Sequence, residues 1–260
     1  MTEMCDCKAD FAIEQQVIDN AAASLGPQHF GVALFRGVIG EDILKLAMAE
    51  TNDPDKVQWR SHRQTHKNKR GAMIEENYYT YALKLHHGDR EIVDRLPTLL
   101  ALTCAVENLV VRDLSQHFPN LQNWQADETK VHRYDAGRVG ISHHLDQTRF
   151  WGIIAVATLD GAGEFGVVSK GSTEQKIQLD AGDLLLMRGP GLYDAPNAED
   201  IRPMHGVDNR DSSGRMSLLV RANRFPDEQR PGFVYDNWAP ATISRSAPEI
   251  LNSRPLQRKQ

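Results

Sequence analysis

The sequence predicts a mainly β protein with flanking helices: a double-stranded β-helix (jelly-roll) core with an N-terminal α-rich part. Apolar residues recur at helical spacing before about residue 125 and in short, turn-bounded runs after it. The second half also carries two histidines and an aspartate of metal-ligand type, which a closed double sheet can gather in its interior.

Taken in order, residues 10–25, DFAIEQQVIDNAAASL, place Phe11, Val17, Ile18 and Ala22 near one face, and Gly26-Pro27 ends the pattern. FGVALFRGV (30–38) reads as a strand and EDILKLAMAE (41–50) as a second amphipathic helix. The densely basic WRSHRQTHKNKRG (59–71) reads as a solvated loop beside an aromatic core element containing Tyr78, Tyr79 and Tyr81. Its other reading is a clamp for an anionic substrate or a nucleic-acid strand, with Trp59 or a tyrosine stacked on a base. His62 and His66 could bind metal at helical spacing, but no carboxylate or cysteine accompanies them. Residues 98–118 form the longest helical pattern, stopped by Pro119.

Strand candidates then follow closely: KVHRYD, VGISHHLD, WGIIAVATL, GEFGVV, QKIQL, DLLLMR, RPMHGVD and RMSLLVRAN. Gly161-Ala162-Gly163, Lys170-Gly171-Ser172, Ala181-Gly182 and Gly189-Pro190-Gly191 punctuate them as turns. The expected organisation is a supporting and pocket-shaping part over 1–125, the core over 126–225, and a proline-rich extension over 226–260 that wraps the surface.

The formal charge of −5 and pI near 6.1 argue against a general nucleic-acid binder, which carries a basic excess. Three cysteines, two of them (Cys5 and Cys7) in a polar N-terminus and Cys104 in an apolar helical pattern, give no disulfide framework. The opening MTEMCDCKAD lacks an apolar leader region, and no run is apolar for long enough to span a bilayer. A reducing, cytoplasmic setting without a membrane partner is expected; oligomeric state is not legible.

In a strand, His144 and Asp146 project to the same side while Val139 and Ile141 project to the other, and His143 faces outward, as a structural residue or one that supports the ligands from behind. His205 must come from a neighbouring strand. Two imidazoles and one carboxylate, leaving half a coordination sphere open, are the donor set of non-haem Fe(II) centres. A zinc hydrolase or a non-enzymatic cupin-like binding protein could use the same ligands. In the last strand candidate, Arg215, Ser217, Leu219 and Arg221 share a face opposite Met216, Leu218 and Val220. Arginines turned into a barrel require carboxylate partners, supplied either by a ligand or by Asp and Glu of the chain.

The H-x-D pair, the distal His205 and the R-x-S of Arg215 and Ser217 together resemble the Fe(II)/2-oxoglutarate-dependent dioxygenase superfamily, over roughly residues 130–225. The resemblance implies that His144, Asp146 and His205 hold a catalytic Fe(II), and that Arg215 and Ser217 hold the distal carboxylate of 2-oxoglutarate. It further implies oxidation of a C–H bond with O2, releasing succinate and CO2. Asp146 stands where a glycine or alanine would admit a halide, so hydroxylation is expected over halogenation.

A narrower likeness is to the AlkB-type branch, which carries N-x-Y-x-x-G before H-x-D and two arginines in the last strand. His132-Arg133-Tyr134-Asp135-Ala136-Gly137, with Arg215 and Arg221, resembles that pattern, and GDLLLMRGPG resembles its strand and turn before the distal histidine. The likeness implies that Tyr134 hydrogen-bonds the cosubstrate and Arg221 lies near its inner carboxylate. The chain departs from the branch at His132 for asparagine, at Ser217 for asparagine, and in the spacing after Gly137. The expected substrate is a small molecule such as an amino acid or specialised metabolite. The alternative is oxidative demethylation of alkylated nucleic acid or of a protein side chain.

Overall fold

A computed structural model describes residues 10–67, 71–83, 94–168, 173–193 and 201–223. Their order is α1 (Gln15–Ser24), β1 (Val32–Phe35), α2 (Glu41–Asn52), β2 (Arg60–Lys67), β3 (Met73–Leu83) and α3 (Pro97–Asn108). After α3 come a π-type turn at Leu109–Asp113 and two 3-10 turns, then β4 (Glu128–Tyr134), β5 (Arg138–His144), β6 (Phe150–Val168), β7 (Gln175–Asp180), β8 (Leu184–Arg188), β9 (Met204–Asn209) and β10 (Gly214–Asn223).

The strands lie in the order β1-β8-β6-β10-β4-β3-β5-β9, and β9 returns to pair with β6, closing the path; β7 pairs with β6 and β2 with β3. Strand β6 makes the closure. Its first half pairs with β8 and β10, and its second half, from Ala162, pairs mainly with β7 and β9. Between the halves Gly161 takes φ 68, where a β-carbon would also collide with the Gly214 carbonyl. One strand therefore passes from one layer of the barrel to the other.

Alternation along the strands sorts two cores. Ile153, Ala155, Ala157 and Leu159 of β6 join Met216, Leu218 and Val220 of β10 in the cluster that the helices cover. Ile154 and Val156 turn the other way, with Phe165, Val207 and Tyr134, into the barrel interior. Helix α3 is buried almost all round, which explains its weak amphipathic pattern. Leu96 precedes it and offers no cap, so Glu50 of α2 does so across the interface, accepting from the amides of Thr98 (2.7 Å) and Leu99 (3.1 Å).

The structure has the expected mainly β architecture with its helices on one side, and corrects several elements. Helix α1 begins at Gln15, because Asp10 instead binds Asn108 and Arg112, each at 3.0 Å. Most of the basic segment expected as a loop is strand β2, paired with β3 from Arg60 to Lys67. The Gly161-Ala162-Gly163 turn is the bend within β6, so WGIIAVATL and GEFGVV are one strand. The pairings also cross residue 125: β1 joins β8, and β3 joins β4 and β5. Cys5 and Cys7, the Lys170-Gly171-Ser172 turn and the extension over 226–260 lie outside the described residues. Among the described residues no helix is long and apolar enough to cross a membrane.

Candidate metal centre and anion pocket

His144 ends β5 and faces His205 of β9 directly across the ladder. Asp146 follows two residues later. One ligand atom from each of the three lies within 4.8 Å of the others, and among the described residues this is the one such group. The imidazole centroids are 4.4 Å apart, and His205 Nε2 is 3.4 Å from Asp146 Oδ2. His144 Nδ1 sits 2.9 Å from the Ser142 carbonyl and His205 Nδ1 3.3 Å from that of Pro203. Each carbonyl accepts an Nδ1–H, which fixes the tautomer and leaves Nε2 as a lone-pair donor. Phe165 stacks on His205 with centroids 5.4 Å apart.

The register of β5 slips twice against β9, between Val139 and Ile141 and again between Ile141 and His144. Simple alternation therefore fails here. Ile141, expected on the outer face, is buried in the inner cluster beside Tyr134 and Val207. His143 points away from the triad and pairs with Glu174 at 3.0 Å.

Burial, with His144 nearby, pushes the His205 imidazole down to about 4, so it is neutral and ready to donate at ordinary pH. Burial alone would raise the Asp146 carboxyl, but His205, Arg221 and His144 outweigh it and hold the group below the usual carboxylate range. The donor set is thus two imidazole nitrogens and one carboxylate anion, which suits a divalent metal.

Arg215, Ser217 and Arg221 of β10 and Tyr134 of β4 are all buried on the inner face, with Arg215 opposite Tyr134 in the ladder. The two arginines then differ. Arg221 Nη1 donates to Asp146 Oδ1 at 3.3 Å and Nη2 to Glu128 Oε1 at 3.1 Å, while its guanidinium lies 4.1 Å from the Phe150 ring centre. Glu128 also binds Lys130 (2.8 Å) and Arg149 (2.7 Å). For Arg221, then, carboxylates of the chain are the partners.

Among the described residues Arg215 has no such partner. It lies over the Tyr134 ring at 5.4 Å and donates to the phenol oxygen, but its Nε and Nη1 are buried without a hydrogen-bond partner, as is Ser217 Oγ. Burial lowers the Arg215 pKa. A buried guanidinium with unmade hydrogen bonds is costly unless an anion completes it. The orphaned fork and the neighbouring hydroxyl fit a carboxylate. Burial pushes the Tyr134 phenol up to about 12, keeping its proton.

Residues beyond the expected set line the same interior. His62, Tyr78 and His132 stack in succession, with centroids 4.7 and 4.4 Å apart, and His132 Nδ1 is 3.2 Å from Tyr134 Oη. The carboxylate missing beside His62 in the sequence is Glu76 of the paired strand, which also receives Gln64. Burial opposes its ionisation, but His62 and Gln64 hold Glu76 below the usual carboxylate range. Glu128 is not legible in the sequence, because one carboxylate at a strand start carries no spacing signal.

No protein-family model matches the sequence, and no curated protein matches it. Solved structures do. A prolyl hydroxylase from Trichoplax adhaerens, in complex with a hypoxia-inducible-factor oxygen degradation domain peptide fragment, aligns with TM-score 0.54 at 13% identity, covering 84% of this chain and 96% of that one. A prolyl-4-hydroxylase from Pseudomonas putida aligns with TM-score 0.54 at 14% identity, covering 80% of this chain and 99% of that one. At these identities the likeness is one of fold, and this chain shares the fold of both hydroxylases.

Proposed function

We propose that the protein is an Fe(II)/2-oxoglutarate-dependent dioxygenase that hydroxylates or otherwise oxidises a C–H bond of a small molecule such as an amino acid or specialised metabolite. One observation carries the reading: a barrel of hydroxylase fold holds a His-Asp-His group and, on the same inner face, a buried arginine with no carboxylate partner among the described residues. Neither a zinc hydrolase nor a simple metal-binding protein needs that second pocket.

Fe(II), 2-oxoglutarate and O2, when bound, supply the oxidising chemistry and yield succinate and CO2 as co-products. The chain supplies position. His144 and His205 present Nε2, steadied by backbone carbonyls at Nδ1, and Asp146 presents a carboxylate oxygen while Arg221 holds its partner oxygen. Arg215 and Ser217 bind the distal carboxylate, and Tyr134 offers its phenol proton beside them. Phe165, Val207, Ile154 and Phe150 keep water from the interior. The face of the β2–β3 hairpin carrying His62, Gln64, Glu76 and Tyr78 adjoins this interior and lines the substrate side.

Oxidative demethylation of nucleic acid or of a protein side chain is the second reading, and one observation favours it. The basic segment is a strand of the sheet that bears Tyr134, and Arg133 is held between Trp59 (5.0 Å) and Tyr79 (4.6 Å). The test is succinate release dependent on Fe(II) and 2-oxoglutarate, screened over amino acids, metabolites, peptides and methylated oligonucleotides. Turnover with oligonucleotides alone selects the second reading; metal-dependent hydrolysis without succinate rejects both.

A further inference from the structure

The groups that meet the keto acid do not end with Arg215 and Ser217. In β9, His205, Val207 and Asn209 lie two apart and share a face. His205 turns to the metal centre and Val207 into the inner cluster, so Asn209 points into the barrel at the far end of the row. It is fully buried, and neither Oδ1 nor Nδ2 has a hydrogen-bond partner among the described residues. A buried primary amide with every hydrogen bond unmade requires a reason.

The reason lies across the ladder, where β6 brings Gly163 alongside. A β-carbon on Gly163 would collide with Asn209 Oδ1 and stand 3.6 Å from Arg215 Cδ. The missing side chain lets the amide and the arginine stem lie beside each other. Arg215 Nε, Arg215 Nη1 and Ser217 Oγ are unpaired in the same interior, and so is Thr158 Oγ1, opposite Ser217 in the ladder. Unmade donors gathered around one arginine describe an anion site larger than a two-residue clamp.

We infer that Asn209 is a further cosubstrate-binding residue: its Nδ2 donates to the distal carboxylate of 2-oxoglutarate beside Arg215 and Ser217. Gly163 is the positioning residue that makes room for it. This rests on the keto-acid reading above. Sequence spacing could not suggest it, because asparagine at a strand end is ordinarily a turn former.

The experiment compares two ligands by calorimetry, anaerobically, with Mn(II) in the metal site. 2-Oxoglutarate carries the distal carboxylate; 2-oxopentanoate has the same chelating end without it. Asn209→Leu, similar in size and with no amide, is expected to lower 2-oxoglutarate affinity by roughly tenfold or more, the loss of one hydrogen bond to a charged group. Its affinity for 2-oxopentanoate should hold within about twofold, since that ligand never made the contact. Gly163→Ala, which keeps the amide but displaces it, should show the same selective loss and keeps the test decisive if Asn209→Leu does not fold. Equal loss of both ligands, or no loss of either, overturns the assignment. Arg215→Met separates the two failures. If it removes the preference for 2-oxoglutarate and Asn209→Leu does not, only Asn209 is misassigned; if neither changes it, the keto-acid reading falls as well.

Discussion

The guanidinium of Arg221 lies 3.3 Å from Asp146 Oδ1, while the other carboxylate oxygen of Asp146 faces His205. The Asp146 carboxylate, a proposed metal ligand, is thus clamped from behind, and Glu128 anchors the clamp from its far side. Arg221→Met should free Asp146 to rotate and weaken Mn(II) binding roughly 10- to 100-fold, the usual cost of losing such an orienting partner. Arg221→Lys should recover only part of that, because one ammonium cannot hold Asp146 and Glu128 in a planar fork. Metal titration of the apoprotein decides it; unchanged affinity in Arg221→Met would show that Asp146 needs no clamp.

Removing the proposed ligand itself should act more completely. Asp146→Ala should abolish both the metal-dependent rise in Tm and succinate formation. Preserved metal stabilisation in that variant would place the ion elsewhere.

Arg215 invites a prediction with two signs. As a buried cation without a carboxylate among the described residues, it should destabilise the empty protein; as the proposed anion fork, it should bind cosubstrate. Arg215→Met should leave the apoprotein as stable as the parent or more stable, by up to about 1–4 kcal/mol. The same change should cut 2-oxoglutarate affinity by roughly 100-fold. Chemical denaturation and calorimetry on one preparation measure both, and a strongly destabilised apoprotein would mean that Arg215 serves the fold.

His132 gives a pH dependence. Burial above all, then Arg221 and Lys130, hold its pKa well below the ordinary imidazole value. The folded chain keeps it neutral while the unfolded chain protonates it below about pH 6.5. The folded state binds fewer protons there, so stability falls as the pH drops below that point. His205 titrates in the same sense, whereas the depressed carboxylates act lower, below about pH 4.5. Between pH 6.5 and 5, His132→Asn should therefore reduce the slope of apoprotein stability against pH by up to about 1.4 kcal/mol per unit. An unaltered slope would mean that His132 takes up its proton in the folded state.

The sequence made some of this plain and hid the rest for identifiable reasons. Strand β10 was readable because one face meets the helices and the other the barrel, so Met216, Leu218 and Val220 alternate cleanly with Arg215, Ser217 and Leu219. Strand β2 was not, since its side chains are mostly exposed and its place is set by backbone pairing to β3. The inward turn of Ile141 depends on a register slip against β9, which only the partner strand reveals. The roles of Arg215 and Arg221 looked alike on one face; their difference lies in Glu128 and Asp146, distant in sequence.

Strand β6 has one further consequence. Gly161 lies opposite Arg215, and Val167 opposite His205. A single continuous backbone thus ties the anion fork to the metal triad, and no linker intervenes at which one could loosen while the other stayed ordered. Amide protons at the two ends of this strand should therefore exchange with solvent at one common free energy, as a single cooperative block.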